Sequence, residues 1–154
     1  MYGFYTINGI KLELVQTFND LGVLLDMKLN FRDHISKTVN KASGMMGFIK
    51  RWAKEFSDPY TTKLLYTSLV RPILEYGSVV WDPSYKVYSD KIESVQKQFL
   101  LFCLRGLGWN PNIPLPSYKS RLALIKLPSL YSRRNMLNIS FLLNLFEGNV
   151  QSEY

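Results

Sequence analysis

Cysteine and histidine are almost missing from this sequence: Cys103 and His34 are single occurrences in 154 residues. One cysteine makes no internal disulfide and no cysteine-rich metal site, and one histidine leaves a histidine metal site or acid-base pair without its second member. Asp33, His34 and Ser36 carry the letters of a triad, but neighbours on one helical turn do not converge on a single substrate atom. His34 reads as an ordinary residue at a helix start. No two acids are adjacent, and the closest pairs, Glu55 with Asp58 and Asp90 with Glu93, read as caps or as favourable charge at helix starts. The phosphate loops G-x-x-x-x-G-K and G-x-G-x-x-G are also missing. Catalysis by this chain alone is not expected, and no cofactor is expected to bind it.

Export and membrane signals are equally scarce. No charged n-region, apolar h-region and small-residue cleavage site opens the chain. The most apolar stretch, 64–81, is interrupted by Arg71, Pro72 and Glu75, whereas a spanning helix needs about 20 largely uncharged residues. An intracellular protein, nuclear or cytoplasmic and with no membrane partner, is the expectation.

What is present is a core and a positive charge. A hydrophobic fraction of 47% and a charged fraction of 20% are globular values, and the length suits one domain of roughly 150 residues. Nineteen Lys and Arg against 12 Asp and Glu give a formal charge of +7, which attracts polyanions.

The pattern along the chain predicts an α+β fold, mostly α: a short N-terminal hairpin or three-strand ribbon over 1–27, then an irregular bundle of about five helices over 28–154. Asn8-Gly9 joins strands at 4–7 and 10–14, because a tight hairpin turn needs residues that accept positive φ. A third strand is predicted at 21–25, with Asn19-Asp20 as the turn before it. From Ile35 the apolar positions Val39, Ala42, Met46 and Ile49 recur at helical spacing, with Asn30 and Asp33 as candidate caps. Asp58-Pro59 starts a helix that runs to about Val70 and kinks or restarts at Pro72. A further helix is predicted from Ser89, with Ile92, Val95, Phe99, Phe102 and Cys103 on its apolar face and Gly106 at its end. A loop over 106–116, a short helix over 117–126 and a longer one over 129–147 closed by Gly148 complete the reading.

Charge placement gives the candidate site. Between residues 31 and 54 there are six bases, Arg32, Lys37, Lys41, Lys50, Arg51 and Lys54, against the single acid Asp33. On the predicted helix Lys37, Lys41, Gly44, Phe48 and Arg51 share a stripe away from the apolar face, with Lys54 beyond it. Cations at helical spacing, a glycine that lets a backbone come close and an aromatic among them form a surface that tracks phosphates. The bland alternative is a solvated basic face. A second basic stretch, from Lys97 to Phe146, holds Lys97, Arg105, Lys119, Arg121, Lys126, Arg133 and Arg134 and no acid. Cys103 reads as a buried thiol, Met45-Met46 as core filler, and Tyr60, Tyr66, Tyr76 and Tyr88 as core edges with a hydroxyl reaching water.

Several phrases resemble the region just after the catalytic core in reverse transcriptases of non-LTR retrotransposons, of the jockey and CR1 type. They are Phe18-Asn19-Asp20-Leu21-Gly22-Val23-Leu24-Leu25-Asp26, residues 29–35, residues 65–81, Ser94-Val95-Gln96-Lys97-Gln98-Phe99, and Leu127-Pro128-Ser129-Leu130 with Arg133-Arg134. The phrase SLVRPILEYGSVVWDP at 68–83 is the most specific. The resemblance implies that Leu21 and Gly22 belong to a primer grip and that the helix with Lys37, Lys41 and Arg51 belongs to a thumb. It further implies an RNA or DNA template-primer duplex and the rest of a reverse transcriptase as partners. In that family paired aspartates of the palm hold Mg²⁺, and this sequence contains no Asp-Asp. It also has Asn19-Asp20 where the family carries a basic or aromatic pair before Leu-Gly. The alternative from another class is a non-catalytic helical protein-interaction module, with the hairpin as docking or self-association surface.

Overall fold

Two antiparallel hairpins lead into the helices of the computed structural model, which describes residues 5–52 and 58–148. The predicted strand residue Phe4, the basic candidate Lys54, Glu55 and residues 149–154 lie outside the described residues. In the first hairpin β1 (Thr6–Ile7) pairs with β2 (Ile10–Lys11), Ile7 opposite Ile10, about the Asn8-Gly9 turn, where φ is 50° and 79°. The pairing is shorter than the predicted 10–14 strand, and every residue from Tyr5 to Asp20 is exposed.

The second hairpin corrects the prediction of a lone third strand. Here β3 (Thr17–Asp20) pairs with β4 (Val23–Asp26), so Asn19-Asp20 is strand and the turn is Leu21-Gly22. The two turn residues have φ of 44° and 89°, the mirror-image turn whose twist suits a hairpin. Gly22 supplies the larger positive φ, and Leu21 adopts the left-handed region at a steric cost. Val23 is buried and Leu25 packs against the core.

Asp26 ends this hairpin and arranges the next element, its carboxylate accepting the backbone N-H of Lys28 and Phe31 at 2.9 Å each. Asn30 caps as predicted, its Oδ1 accepting Arg32 N-H at 2.9 Å, and helix α1 (Arg32–Trp52) begins one turn before Ile35, with Asp33 inside its first turn. The predicted apolar face is the buried one: Ile35, Val39, Ala42, Met46 and Ile49 are all buried, with Met45 partly so. Each such large side chain contributes about 1.5–3 kcal/mol relative to exposure.

Asp58 caps helix α2 (Pro59–Leu65) as predicted, accepting from Tyr60 N at 3.1 Å and Thr61 N at 2.9 Å. The chain then widens into a π-helical turn (Tyr66–Val70), closed by Arg71 N-H on Tyr66 C=O, and restarts as α3 (Arg71–Glu75). Pro72 thus sits in the first turn of a new segment, where no backbone donor is needed. Thr62, Tyr66, Val70 and Leu74 are all buried at spacings of four. In an unbroken α-helix that spacing drifts about 40° per step, and the wide turn absorbs the drift.

A short α4 (Ser78–Trp81) precedes α5 (Lys86–Gly106), which starts three residues before the predicted Ser89 with no side-chain cap to announce it. Its predicted face is buried at Ile92, Val95, Phe99 and Cys103 and partly buried at Phe102. The terminator is Gly108 rather than Gly106: φ is 77° there, and Trp109 N-H reaches back to Leu104 C=O. Burial pushes the Cys103 thiol up to about 12, as an inert core thiol requires. Helices α6 (Tyr118–Ile125) and α7 (Leu130–Phe146) are capped by Ser117 and Ser129. Among the described residues no helix is long and apolar enough to cross a membrane.

Three of the seven bases in the second basic stretch are structural, whereas Arg105, Lys119 and Lys126 are exposed. Arg134 is 1% exposed and donates to Asp82 at 2.7 Å and to Ser89 at 2.9 Å, while Arg133 forms a two-point pair with Glu75. Arg121 is buried beside the Tyr118 ring. The acid partners of Arg133 and Arg134, Glu75 and Asp82, lie before residue 97, which is part of why a window from 97 to 146 looks unbalanced. Glu93 is likewise no cap for its own helix. It is buried in α5 and accepts from Leu130 N, Tyr131 N and the Tyr118 hydroxyl, capping α7 instead. Gln96 completes the network, accepting from the Tyr66 hydroxyl at 2.9 Å and donating to Pro128 C=O at 2.9 Å. Tyr66, predicted at a wet edge, is fully buried, and burial raises its hydroxyl above the ordinary tyrosine range.

Candidate nucleic-acid interface

The basic stripe is real as geometry. Lys37, Lys41, Gly44, Phe48 and Arg51 are all exposed on α1, at alternating spacings of four and three that keep them on one side of the helix. A Cβ on Gly44 would meet nothing within 4 Å, so packing within the chain does not demand glycine at that position. Phe48 is joined by Trp52, their ring centroids 5.9 Å apart and both about half exposed, so the C-terminal end of the stripe carries an aromatic pair beside Arg51. Trp52 went unnoticed in the sequence, although its place four residues after Phe48 was the available signal.

The N-terminal end of the stripe meets the second hairpin. A groove of about 230 Å³ is lined by His34, Lys37, Thr38 and Lys41 of α1, by Gly22 of the hairpin turn, and by Ile73 and Tyr76 at α3 and its end. The structure therefore brings one of the two turn residues, Gly22, to the same concavity as two of the stripe cations. Leu21 stands beside it: its side chain is 85% exposed, and its carbonyl accepts the Tyr76 hydroxyl at 2.7 Å. Gly44, Phe48 and Arg51 lie further along α1, outside the groove.

The hairpin is positioned by three contacts from different elements. Leu24 N-H donates to His34 Nδ1 at 3.1 Å. A Cβ on Gly22 would lie 3.5 Å from the Tyr76 ring, and one on Gly77 would press to 3.2 Å from Val23. Gly77, at φ 62°, lets the chain turn between α3 and α4 while Val23 packs against its backbone. Trp81 then donates its Nε1-H to Tyr76 C=O at 2.7 Å and lays its ring beside His34, centroids 5.1 Å apart. Neither His34 nor Tyr76 was singled out for the site from the sequence. Asp20 is exposed on β3 directly before the turn, so a carboxylate stands close to the groove's hairpin wall.

A larger cleft, about 600 Å³, lies between the C-terminal end of α5 and the loop after it. Leu104, Trp109 and Ile113 are among its lining residues, with Arg105 as its charged member, and it contains none of the predicted site residues. No group of three His, Cys, Asp or Glu suited to a metal ion occurs among the described residues.

The chain is similar to an uncharacterized protein, B0403.1, of Caenorhabditis elegans, 28% identical over 138 residues that cover 90% of this chain and 67% of the relative. No family model matches the chain. No solved structure matches it either.

Proposed function

We propose that this chain is the primer-grip and thumb end of a retroelement reverse transcriptase, binding a template-primer duplex through its phosphates and carrying no catalytic centre itself. The observation that supports this reading most is the shared groove, lined both by Gly22 of the Leu-Gly turn and by Lys37 and Lys41 of the helix after it. A duplex backbone laid along α1 would pass those two lysines, Gly44 without a side chain in the way, then Arg51 with the Phe48 and Trp52 rings beside it. Mg²⁺ and the paired aspartates belong, in this reading, to a palm supplied by the rest of the polymerase. The cellular place that goes with it is the nucleus or cytoplasm.

The test is salt dependence. Replacing Lys37, Lys41 and Arg51 together by Gln should weaken duplex binding about equally across sequences. The slope of log K against log salt should flatten by about 0.9 per lost B-DNA contact. A slope that stays as it was would make the stripe a solvated face.

One observation favours the alternative of a protein-interaction module. The first hairpin exposes Ile7 and Ile10 on its two paired strands, with Leu12 and Leu14 exposed just beyond them, and a two-stranded ribbon is marginal unless one face is covered.

A further inference from the structure

The hairpin that forms one wall of the groove is tied to α1 through a titratable side chain, His34. An amide N-H can only donate, so the 3.1 Å bond from Leu24 N-H requires a bare lone pair on His34 Nδ1. The docked ring is therefore neutral, with its proton on Nε2, which faces Thr38 Oγ1 at 3.4 Å. We propose that His34 is a proton-sensitive latch: neutral, it docks the β3–β4 hairpin on α1, and protonated, it releases the hairpin and opens the groove.

Three features of the surroundings oppose a charged ring. His34 is 4% exposed, so an imidazolium would lose its water. A proton on Nδ1 would set N-H against the Leu24 N-H and remove the side-chain bond that ties α1 to the middle of β4. The ionisable groups that line its groove are Lys37 and Lys41 on its own helix and the Tyr76 phenol at the end of α3, while the nearby carboxylate of Asp20, on β3 before the turn, is exposed to water and outside that lining. Of the other neighbours, β4 ends in Asp26, whose oxygens are occupied by backbone amides. The helix α4 offers Trp81, whose indole is tilted by 57° to the imidazole. Burial, with Lys37 adding to it, accordingly holds the ring below the ordinary histidine value of 6.5.

The sign follows from linkage. The undocked ring titrates near the ordinary value and binds a proton that the docked ring refuses, so docking is complete above about pH 6.5 and weakens as pH falls below it. For a ring that stays neutral while docked, the docking constant at pH 5.5 drops by at most about tenfold from its value at pH 7.5. The latch requires no bound nucleic acid. Its failure and the failure of the duplex-binding reading are separate results.

Amide exchange measured on the full chain at pH 7.5 and 5.5, divided by the intrinsic rate at each pH, tests it. Protection of residues 23–26 should fall by up to about tenfold at pH 5.5 while that of residues 92–104 in α5 holds. The variant His34→Asn, whose Oδ1 stands in for Nδ1 and does not titrate, should show no such fall. Hairpin protection unchanged by pH, or falling equally in His34→Asn or in α5, would overturn the latch. Should His34→Asn not fold, ¹⁵N shifts of the wild-type ring decide: a proton on Nε2 and a pKa below 6.5 support it, and an Nδ1 proton or a pKa at or above 6.5 overturns it.

Discussion

Glu93 accepts the backbone N-H of Leu130 at 3.0 Å across 37 residues of sequence, so a carboxylate inside one helix serves as the N-terminal cap of another. The same group takes the N-H of Tyr131 at 3.2 Å and the hydroxyl of Tyr118. Replacing Glu93 by Ala strands two helix-start amides and a buried hydroxyl at once. The expected cost is about 2–4 kcal/mol in urea unfolding, from several buried donors left without acceptors. Glu93→Gln, which keeps one acceptor oxygen, should cost clearly less. Equal losses for the two variants would mean that the full carboxylate, with its charge and both oxygens, is what matters at 93, and that neither the volume nor the single acceptor that Gln keeps replaces it.

Buried and exposed bases should separate cleanly in mutagenesis. Arg134→Met leaves Asp82 and Ser89 without their guanidinium partner in a closed site, and a loss of about 3 kcal/mol is expected. Lys37→Gln and Lys41→Gln, on the exposed face, should change stability by no more than about 0.5 kcal/mol. Thermal melts of the three variants give the comparison. A Lys37→Gln protein as unstable as Arg134→Met would show the stripe to be part of the packing.

Acid should loosen the start of α2 before it reaches the core. The Thr61 hydroxyl first, then the Thr61 and Tyr60 amides, hold the Asp58 carboxyl below its ordinary 3.8. Because the folded value is the lower one, the cap's contribution is whole above about pH 3.8 and fades as pH falls through the folded value. Amide exchange at Tyr60 and Thr61 should accelerate in that window relative to Val95 and Phe99. Asp58→Asn, a cap that does not titrate, should lack the acceleration.

The first hairpin should promote association between copies. Its two short strands leave Ile7, Ile10 and Leu12 exposed, and a ribbon of two strands is marginal unless one face is covered. Sedimentation over a range of concentrations should reveal a growing mass that Leu12→Lys suppresses. A constant monomer mass for the unaltered chain would argue against the hairpin as a contact surface.

Local signals were readable from the sequence and distant ones were not. Asn8-Gly9, Asp58-Pro59, Ser117, Ser129 and the spacing from Ile35 to Ile49 each act within a turn or two, and each stands where the pattern put it. The Leu21-Gly22 turn was missed because leucine seldom takes a positive φ, and Asn19-Asp20 carried the usual turn residues. The α5 start at Lys86 was missed because no capping side chain marks it. Arg134 and Glu93 were misjudged because their partners, Asp82 and Leu130, lie 52 and 37 residues away. The stripe on α1 was likewise legible. Its meeting with Gly22 was not, since that depends on His34 and Tyr76 holding a hairpin whose turn had been placed elsewhere.

The wide turn at Tyr66–Val70 makes chain length at this point coupled to Pro72. Deleting the exposed Ser68 would bring Tyr66, Val70 and Leu74 to spacings of three and four, the rhythm of a plain α-helix. Pro72 would then fall inside that continuous helix, at a cost of about 3 kcal/mol. Replacing Pro72 while Ser68 remains would instead leave an extra residue with no break to excuse it. The two positions therefore form a compensating pair: a chain one residue shorter here can pack the same core, provided the proline is lost with the residue.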